Sequence, residues 1–252
     1  MMFDFHNQFL FPTHAVAPPG PLPRGAKRAT ITSADGDELH GVHIAPAKGR
    51  SRERTLILGF GGNAWNADDV ASFLHHHFPA ADVVAFHYRG YWPSTGSPSV
   101  EALLEDAPLV YDFAVERVPA DRTIAVGMSI GTGVAASLAG ERPLDGLILV
   151  TPFDSIKAVA SDHYPFLPMG ALFREDMDSA AALADSRVPT AIIAGQDDSI
   201  IPPRRTQALR RSVGNLVFDR TIPGAGHNDI YQRLEFRDAM DDALEAVTNP
   251  GR

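Results

Sequence analysis

Short runs of apolar residues recur along this chain, separated by longer stretches in which apolar residues are spaced three and four apart. Some of the runs, such as residues 124–126 and 147–150, contain no polar residue at all. Uninterrupted runs are typical of strands that are covered on both faces, and they indicate a parallel sheet. The predicted strands are residues 55–60, 82–87, 123–127, 146–150, 190–195 and 216–222.

The stretches between these strands have the periodicity of helices with one buried face. The predicted helices are residues 66–77, 100–118, 130–141, 203–212 and 230–247. Strands that alternate with helices are typical of an α/β protein with a mostly parallel sheet.

The first part of the chain has a different pattern. Residues 29–33 and 38–45 alternate in polarity and flank an Asp-Gly turn at residues 34–37, which predicts an antiparallel hairpin. Residues 1–28 precede it and contain four closely spaced prolines, which cannot donate backbone hydrogen bonds. We therefore predict that residues 1–28 form an extended lead-in and that one domain covers residues 29–252.

One connection is too long for a simple crossover. About 35 residues separate the strand at 146–150 from the strand at 190–195. Long connections in compact domains are usually functional. We predict a crossover helix and a small cap over about residues 153–188.

Composition and charge exclude several classes of function. The 252 residues carry a formal net charge of -9, so the chain lacks the positive field needed to bind nucleic acid. It has no cysteine, which excludes disulfides, thiolate zinc sites and a cysteine nucleophile. No stretch approaches the roughly 18 apolar residues of a membrane span, and the start does not read as a secretory signal. We expect no stable membrane insertion and a cytoplasmic location.

A candidate nucleophile lies at the end of one predicted strand. Residues 127–131 read Gly-Met-Ser-Ile-Gly and match the pattern Gly-x-Ser-x-Gly, with Ser129 between the strand at 123–127 and the helix at 130–141. At such a turn the serine adopts a strained conformation, and the glycines prevent collisions around it. The position of the motif points to Ser129 as a nucleophile.

A serine needs a histidine as general base and an acid that fixes the imidazole tautomer. Two loops downstream of Ser129 offer these groups in the order that this turn requires, acid before histidine. The first contains Asp197 and Asp198, and the second contains His227. Asp154 follows an earlier strand and is a further candidate acid.

These motifs resemble those of the α/β-hydrolase superfamily over nearly the whole chain. The acid loop at residues 195–202 is similar to the family pattern Gly-x-x-Asp-x-x-Val/Ile-Pro, which favours Asp198, and Gly-Ala-Gly-His at 224–227 resembles the family's histidine loop. The resemblance implies a central sheet of about eight strands with helices on both faces and a small cap. Asp197 and Asp154 remain alternatives to Asp198 as the acid.

Hydrolysis also needs donors for the developing oxyanion, and the backbone N–H of Ile130, directly after the nucleophile, is the expected first donor. Residues 60–64 read Phe-Gly-Gly-Asn-Ala and resemble Phe-His-Gly-Asn-Ala in a branch of small serine hydrolases, which implies Asn63 as the second donor. The same branch has a motif that is similar to Tyr-Arg-Gly-Tyr at residues 88–91.

The chain departs from this branch at two positions, since Gly61 replaces a histidine and Trp92 replaces a glycine that is usual there. We predict that Gly61 leaves extra room in the substrate pocket. The candidate pocket residues are Gly61, Trp65, Trp92, Tyr164 and Phe166.

The resemblance and the motifs predict a serine hydrolase that acts on a small-molecule ester, thioester or related acyl compound. This chemistry needs no metal and no cofactor, and no nucleotide-binding glycine pattern is present. Two alternatives remain, an acyltransferase that uses the same residues and a non-catalytic binding protein with the same fold.

Overall fold

The computed structural model describes residues 11–47, 53–166 and 176–251. The strands in these residues are β1 (Lys27–Thr32), β2 (Glu38–Ile44), β3 (Thr55–Phe60), β4 (Asp82–Phe86), β5 (Arg122–Met128), β6 (Gly146–Val150), β7 (Thr190–Gly195) and β8 (Leu216–Ile222). They form one sheet in the order β1-β2-β4-β3-β5-β6-β7-β8. β1 and β4 are antiparallel to β2, whereas β3 is parallel to β4 and β7 is parallel to β6 and β8. The predicted hairpin and mostly parallel sheet of about eight strands are confirmed.

The helices follow the predicted alternation with strands. Those in the described residues are α1 (Ala67–His77), α2 (Val100–Arg117), α3 (Ile130–Glu141), α4 (Ile156–His163), α5 (Ser179–Ala184), α6 (Pro203–Ser212) and α7 (Leu234–Thr248). Polar side chains cap the N-termini of several of these helices. Asn66 accepts from the Asp69 N–H at 2.8 Å before α1, and Ser99 accepts from the Ala102 N–H at 3.0 Å before α2.

Two predicted boundaries differ from the structure. The predicted helix at residues 230–247 is divided into a 3-10 turn, Ile230–Gln232, and helix α7. Arg233 lies between them in an extended conformation, and its guanidinium donates to the Gly224 carbonyl at 2.7 Å. The predicted lead-in at residues 1–28 ends earlier, because β1 begins at Lys27, and its residues 1–10 lie outside the described residues.

The contacts divide the chain into two compact units, Met1–Ala125 and Val126–Arg252. The single domain over residues 29–252 stays a prediction. In the first unit, α1 packs against β2, β3 and β4, and α2 packs against β1, β3 and β4. Every residue of β4 is buried. Because neighbouring residues of a strand point to opposite faces, both faces of β4 are covered.

In the second unit β6 and β7 are buried along their whole length. Helix α7 packs against β6, β7 and β8, while α3 and α6 both contact α5. Helices α4 and α5 lie within the predicted cap at residues 153–188, and a bridge between Ser155 and Asp178 joins their starts. Residues 167–175 of that segment lie outside the described residues, so the cap stays a prediction.

A buried histidine in the first unit makes folding sensitive to pH. His87 is buried, and its Nε2 lies 3.6 Å from the buried Asp68 carboxylate, which Arg28 pairs with at 2.8 and 2.7 Å. Burial lowers the pKa of His87 and outweighs the opposing effect of the Asp68 charge. The imidazole is therefore neutral in the folded protein at pH values where the unfolded chain already binds a proton.

We expect the free energy of unfolding to decrease as the pH falls below about 6.5, the usual pKa of histidine, because only the unfolded chain gains this proton. His87→Gln should reduce that dependence by up to about 1.4 kcal/mol per pH unit. Urea unfolding between pH 7.5 and 5 measures the dependence. His14→Gln removes an exposed histidine and serves as control. Equal slopes in the wild type and His87→Gln would contradict the expectation.

Candidate active site

Ser129 occupies a sharp turn between β5 and α3. Its backbone φ is 53°, in the left-handed region that residues with a side chain rarely adopt. A side chain at Gly127 would lie 2.5 Å from the Gly131 carbonyl oxygen, so glycine is required for the close approach of strand and helix. The Ser129 N–H donates to the Val150 carbonyl at 2.9 Å, which fixes the turn to the end of β6.

Ser129, His227 and Asp198 lie in one hydrogen-bonded line. The distance from His227 Nε2 to Ser129 Oγ is 2.8 Å, and the distance from His227 Nδ1 to Asp198 Oδ2 is also 2.8 Å. His227 and Asp198 are buried, whereas Ser129 is half-buried and forms the accessible end of the line. The structure therefore brings together the three residues that the motifs select.

Proton positions follow from the environment of Asp198. Its Oδ1 accepts from the N–H groups of Ile200 and Ile201 at 2.9 and 2.7 Å, and its Oδ2 lies 2.8 Å from His227 Nδ1. An ionised carboxylate only accepts hydrogen bonds, so His227 Nδ1 carries a proton and donates. In neutral His227 this leaves Nε2 as the acceptor for the Ser129 hydroxyl. This is the tautomer that a general base for Ser129 needs.

The alternative acids have other environments. Asp197 is exposed on the surface of its loop. The Asp154 carboxylate pairs with Arg205 at 3.3 Å, and burial raises the pKa of Asp154 despite that positive charge. Of these three carboxylates, Asp198 is the one that has a hydrogen bond to His227 in the structure.

The loops that carry the acid and the histidine are joined to each other. The Asp197 N–H donates to the Ala225 carbonyl at 2.9 Å, and the Gly224 N–H donates to Gln196 Oε1 at 3.0 Å. Within the histidine loop, Asp229 accepts from the Gly226 N–H at 2.6 Å. That bond and the ion pair with Arg233 lower the pKa of Asp229. These contacts fix His227 relative to Asp198.

The loop predicted to supply the second oxyanion donor lies in the first unit, after β3. The Tyr91 hydroxyl donates to Asn63 Oδ1 at 2.7 Å, and the Tyr88 hydroxyl donates to the Gly61 carbonyl at 2.8 Å. The two tyrosine rings meet edge to face at 5.8 Å. The tyrosines of the Tyr-Arg-Gly-Tyr motif thus hold the loop that contains Gly61 and Asn63.

Gly61 has a packing role that differs from the predicted effect on pocket size. A side chain at this position would begin 2.6 Å from Val70 Cγ2 and 3.3 Å from Trp65 Cβ. Position 61 therefore faces helix α1 and not open space.

We expect Gly61→Ala to lower the free energy of unfolding by about 2 kcal/mol, because inserting a methyl group into a packed contact forces its neighbours apart. Val70→Ala removes the methyl groups that collide with it. The double variant should thus be more stable than the sum of the two single changes predicts. Urea unfolding of the four proteins tests this, and strictly additive losses would contradict the packing role.

The other predicted pocket residues have diverse environments. Trp65 packs edge-on against Phe73 at 5.4 Å, and Trp92 is 75% exposed. In the second unit Tyr164 is 36% exposed and Phe166 is 98% exposed, directly before residues that the structure does not describe. A pocket that includes these residues stays a prediction.

Two residues outside the predicted motifs adjoin the elements of this site: Thr151 follows Val150, whose carbonyl accepts the Ser129 N–H, and Tyr231 follows the loop that carries His227. Thr151 directly follows β6, and its φ of 51° is unusual for a β-branched residue. Tyr231 lies in the 3-10 turn after His227. No motif marks them, and the only available signal was their position directly after a strand and after the predicted histidine.

Metal-binding clusters and membrane-spanning helices are both absent from the described residues. Among them, no group of three or more histidine and carboxylate side chains is placed to hold a metal ion. In the same part of the chain, no helix has both the length and the apolar character that crossing a membrane requires.

This chain is similar in sequence to known proteins over most of its length. No family model matches it. An uncharacterised protein of Mycobacterium tuberculosis is 31% identical over 211 residues, which cover 82% of this chain and 74% of the relative. The uncharacterised protein YfhR of Salmonella typhi is 30% identical over 260 residues, or 93% of this chain and 86% of the relative.

A further relative has a named activity. The lysophosphatidylserine lipase ABHD12 of Danio rerio is 34% identical over 151 residues, which cover 53% of this chain and 38% of that protein. Solved structures have the same fold. An α/β hydrolase from Vibrio vulnificus superposes with a TM-score of 0.71 at 19% identity, covering 96% of this chain and 92% of that one. A lidless α/β serine hydrolase from Xanthomonas campestris gives a TM-score of 0.67 at 18% identity, covering 90% and 97%.

The fold is that of the α/β hydrolases, and the likeness to solved structures extends over nearly all of the chain. The chain belongs to one family with the mycobacterial and Salmonella proteins.

Proposed function

We propose that this protein is a serine hydrolase that cleaves carboxylic esters, thioesters or related acyl compounds. The observation that carries the proposal is the hydrogen-bonded line from Asp198 through His227 to Ser129, with 2.8 Å at each step. A structural role alone does not require a half-buried serine in a strained turn to meet a buried histidine–carboxylate pair.

The first half of the proposed reaction transfers the acyl group to the enzyme. Ser129 Oγ attacks the substrate carbonyl carbon while its proton moves to His227 Nε2. Asp198 stabilises the imidazolium that forms. When the tetrahedral intermediate collapses, the bond to the leaving group breaks, and the leaving oxygen or sulfur takes the proton from His227.

In the second half, water attacks the acyl-enzyme. His227 accepts one proton of the water, the carbonyl carbon regains a tetrahedral geometry, and the bond to Ser129 Oγ breaks. His227 returns the proton to Ser129. The carboxylic acid leaves, and the enzyme is restored without any net change.

Helix α3 supports the charge that develops on the carbonyl oxygen. Ile130 is the first residue of this helix, and the N–H groups of a first helical turn have no acceptor within the helix. We therefore propose the Ile130 N–H as one oxyanion donor, assisted by the positive end of the helix dipole. The contribution of the Asn63 N–H stays a prediction from the sequence.

The substrate class follows from the chemistry more than from the relatives. The name of ABHD12 specifies a lysophospholipid substrate, but the match covers a minority of that protein. A suitable panel therefore contains p-nitrophenyl esters of two to twelve carbons, an acyl-CoA thioester and lysophosphatidylserine.

Rapid-mixing kinetics on this panel tests the proposal. We expect a burst of p-nitrophenol equal to the enzyme concentration, with a mass increase of one acyl group on the quenched protein. Product analysis with an added alcohol distinguishes hydrolysis from acyl transfer. Absence of turnover and of an acyl adduct with every substrate would favour the non-catalytic alternative.

A further inference from the structure

His163 is the last residue of helix α4, in the segment predicted as a cap, and it contacts the acid loop. Its Nε2 lies 2.7 Å from the Ile200 carbonyl oxygen. A carbonyl oxygen only accepts hydrogen bonds, so His163 Nε2 carries a proton and donates. This bond joins α4 to the acid loop, although no step of the proposed reaction uses His163.

The Ile200 carbonyl belongs to the same peptide group as the Ile201 N–H. That N–H donates to Asp198 Oδ1 at 2.7 Å and is the shorter of the two backbone bonds to this oxygen. A peptide group is planar, so its C=O and N–H point in opposite directions and turn together. The donor at His163 and the acceptor at Asp198 thus fix the orientation of one rigid group from both sides.

The peptide group extends the hydrogen-bonded line of the candidate active site. From Asp198 Oδ2 the line continues to His227 Nδ1 at 2.8 Å, and from His227 Nε2 to Ser129 Oγ at 2.8 Å. Hydrogen bonds in such a chain polarise one another. All of these residues lie in the second unit. A donor on α4 is therefore connected with the nucleophile through four hydrogen bonds.

Ion pairs hold the end of α4 against helix α6. Asp162, directly before His163, pairs with Arg204 at 2.8 Å and with Arg205 at 3.2 Å. Helix α6 directly follows the acid loop. The position of His163 relative to Ile200 is thus supported by contacts other than its own hydrogen bond.

We propose that His163 is a positioning residue that orients Asp198 through the peptide group of residues 200–201. This inference rests on the proposed function. Asp198 has to hold the imidazole in one tautomer and one direction while Ser129 attacks. Small displacements of such groups have large effects on rate. Loss of the His163 donor should therefore lower kcat and leave substrate binding nearly unchanged.

Two substitutions that differ in the donor test the inference. His163→Phe keeps a ring without a donor, and we expect it to lower kcat for p-nitrophenyl butyrate about fivefold, the effect of one hydrogen bond, with KM changed less than about twofold. His163→Gln has an amide NH2 that can donate to the same carbonyl, and it should retain most of the activity. His163 is exposed, so both variants should stay folded, which urea unfolding checks. Equal kcat values in the two variants would contradict the inference.

Proton NMR provides a readout that does not depend on turnover. The proton on His227 Nδ1 lies between His227 and Asp198, and its low-field resonance depends on the geometry of that bond. We expect this resonance to shift in His163→Phe and to keep its wild-type position in His163→Gln. An unchanged resonance in His163→Phe would overturn the positioning role.

Asp162→Asn separates the position of α4 from the donor itself. It weakens the ion pairs with Arg204 and Arg205 but leaves His163 in place. We expect kcat to fall by about twofold at most. Combined with His163→Phe, it should cause no further loss, because α4 acts on Asp198 only through the donor. A further, independent loss in the double variant would contradict this route.

Ser161→Ala is the matched control on the same helix. Ser161 is exposed, and its hydroxyl donates to the Lys157 carbonyl at 2.8 Å. The variant should keep both the wild-type kcat and the wild-type resonance of His227. A loss of kcat equal to that of His163→Phe would mean that any change on α4 disturbs the site, and it would overturn the specific role of His163.

The outcomes also distinguish this inference from the proposed function. If the wild type hydrolyses esters through Ser129 while His163→Phe keeps full kcat, the positioning role alone is wrong. If Ser129→Ala keeps the wild-type turnover, the proposed function itself is wrong. The His227 resonance still tests the orientation of Asp198 in that case, because it needs no substrate.

Discussion

Ser129→Ala should lower the rate of ester hydrolysis at least about a thousandfold, because alanine has no atom that can attack the carbonyl or receive the acyl group. The fold should tolerate the change. The Ser129 N–H keeps its 2.9 Å bond to the Val150 carbonyl, and alanine has the same backbone preferences at this turn within about 1 kcal/mol. Steady-state kinetics and urea unfolding of the same preparation measure the two effects.

Ser137→Ala is the matched control, since Ser137 lies on the same helix α3 and its hydroxyl donates to Glu141 at 3.4 Å. It should leave both rate and stability unchanged. If Ser129→Ala were fully active, another group would have to be the nucleophile. If it were inactive but unfolded, the rate would say nothing of mechanism, so the unfolding curve is part of the test.

Asp198→Asn should lower kcat by about four orders of magnitude, because the asparagine NH2 is a hydrogen-bond donor where the carboxylate oxygen is an acceptor. The N–H groups of Ile200 and Ile201 bind Oδ1 and would keep the amide oxygen on their side. The amide NH2 would then face His227 Nδ1 and force it to become an acceptor. Nε2 would carry the proton and could not accept the proton of Ser129.

Asp197→Asn and Asp154→Asn change the alternative acids and should remain within about tenfold of the wild type. Asp154→Asn alters the ion pair with Arg205, so its effect should appear in stability before it appears in kcat. A loss in Asp154→Asn that matches the loss in Asp198→Asn would contradict the assignment of the acid.

The strands were the most predictable part of the fold. Residues 146–150 and 190–195 form strands with the predicted bounds, because strands that are buried on both faces need continuous apolar sequence. The helix at 230–247 was less predictable. Its apolar spacing begins at Ile230, but Arg233 is held in an extended conformation by its bond to the Gly224 carbonyl, a long-range contact that periodicity does not encode.

The residues of the candidate site also differ in how well the sequence predicts them. Ser129, Asp198 and His227 stand in motifs, because each needs a particular backbone turn that glycines or prolines mark in the sequence. Thr151 stands in no motif, and its unusual φ of 51° becomes visible only in the structure. The packing role of Gly61 could not be predicted from the sequence either. A side chain at position 61 would collide with Val70 of helix α1, and this collision becomes visible only in the folded structure.

The central claim is that Ser129 is an activated nucleophile. The most direct measurement is the reaction of the wild-type protein with a fluorophosphonate, followed by intact mass and by peptide mapping of the adduct. We expect one phosphonyl group per chain, attached to Ser129, and none in Ser129→Ala. Absence of labelling in the folded wild type, or an adduct on a different residue, would contradict the claim.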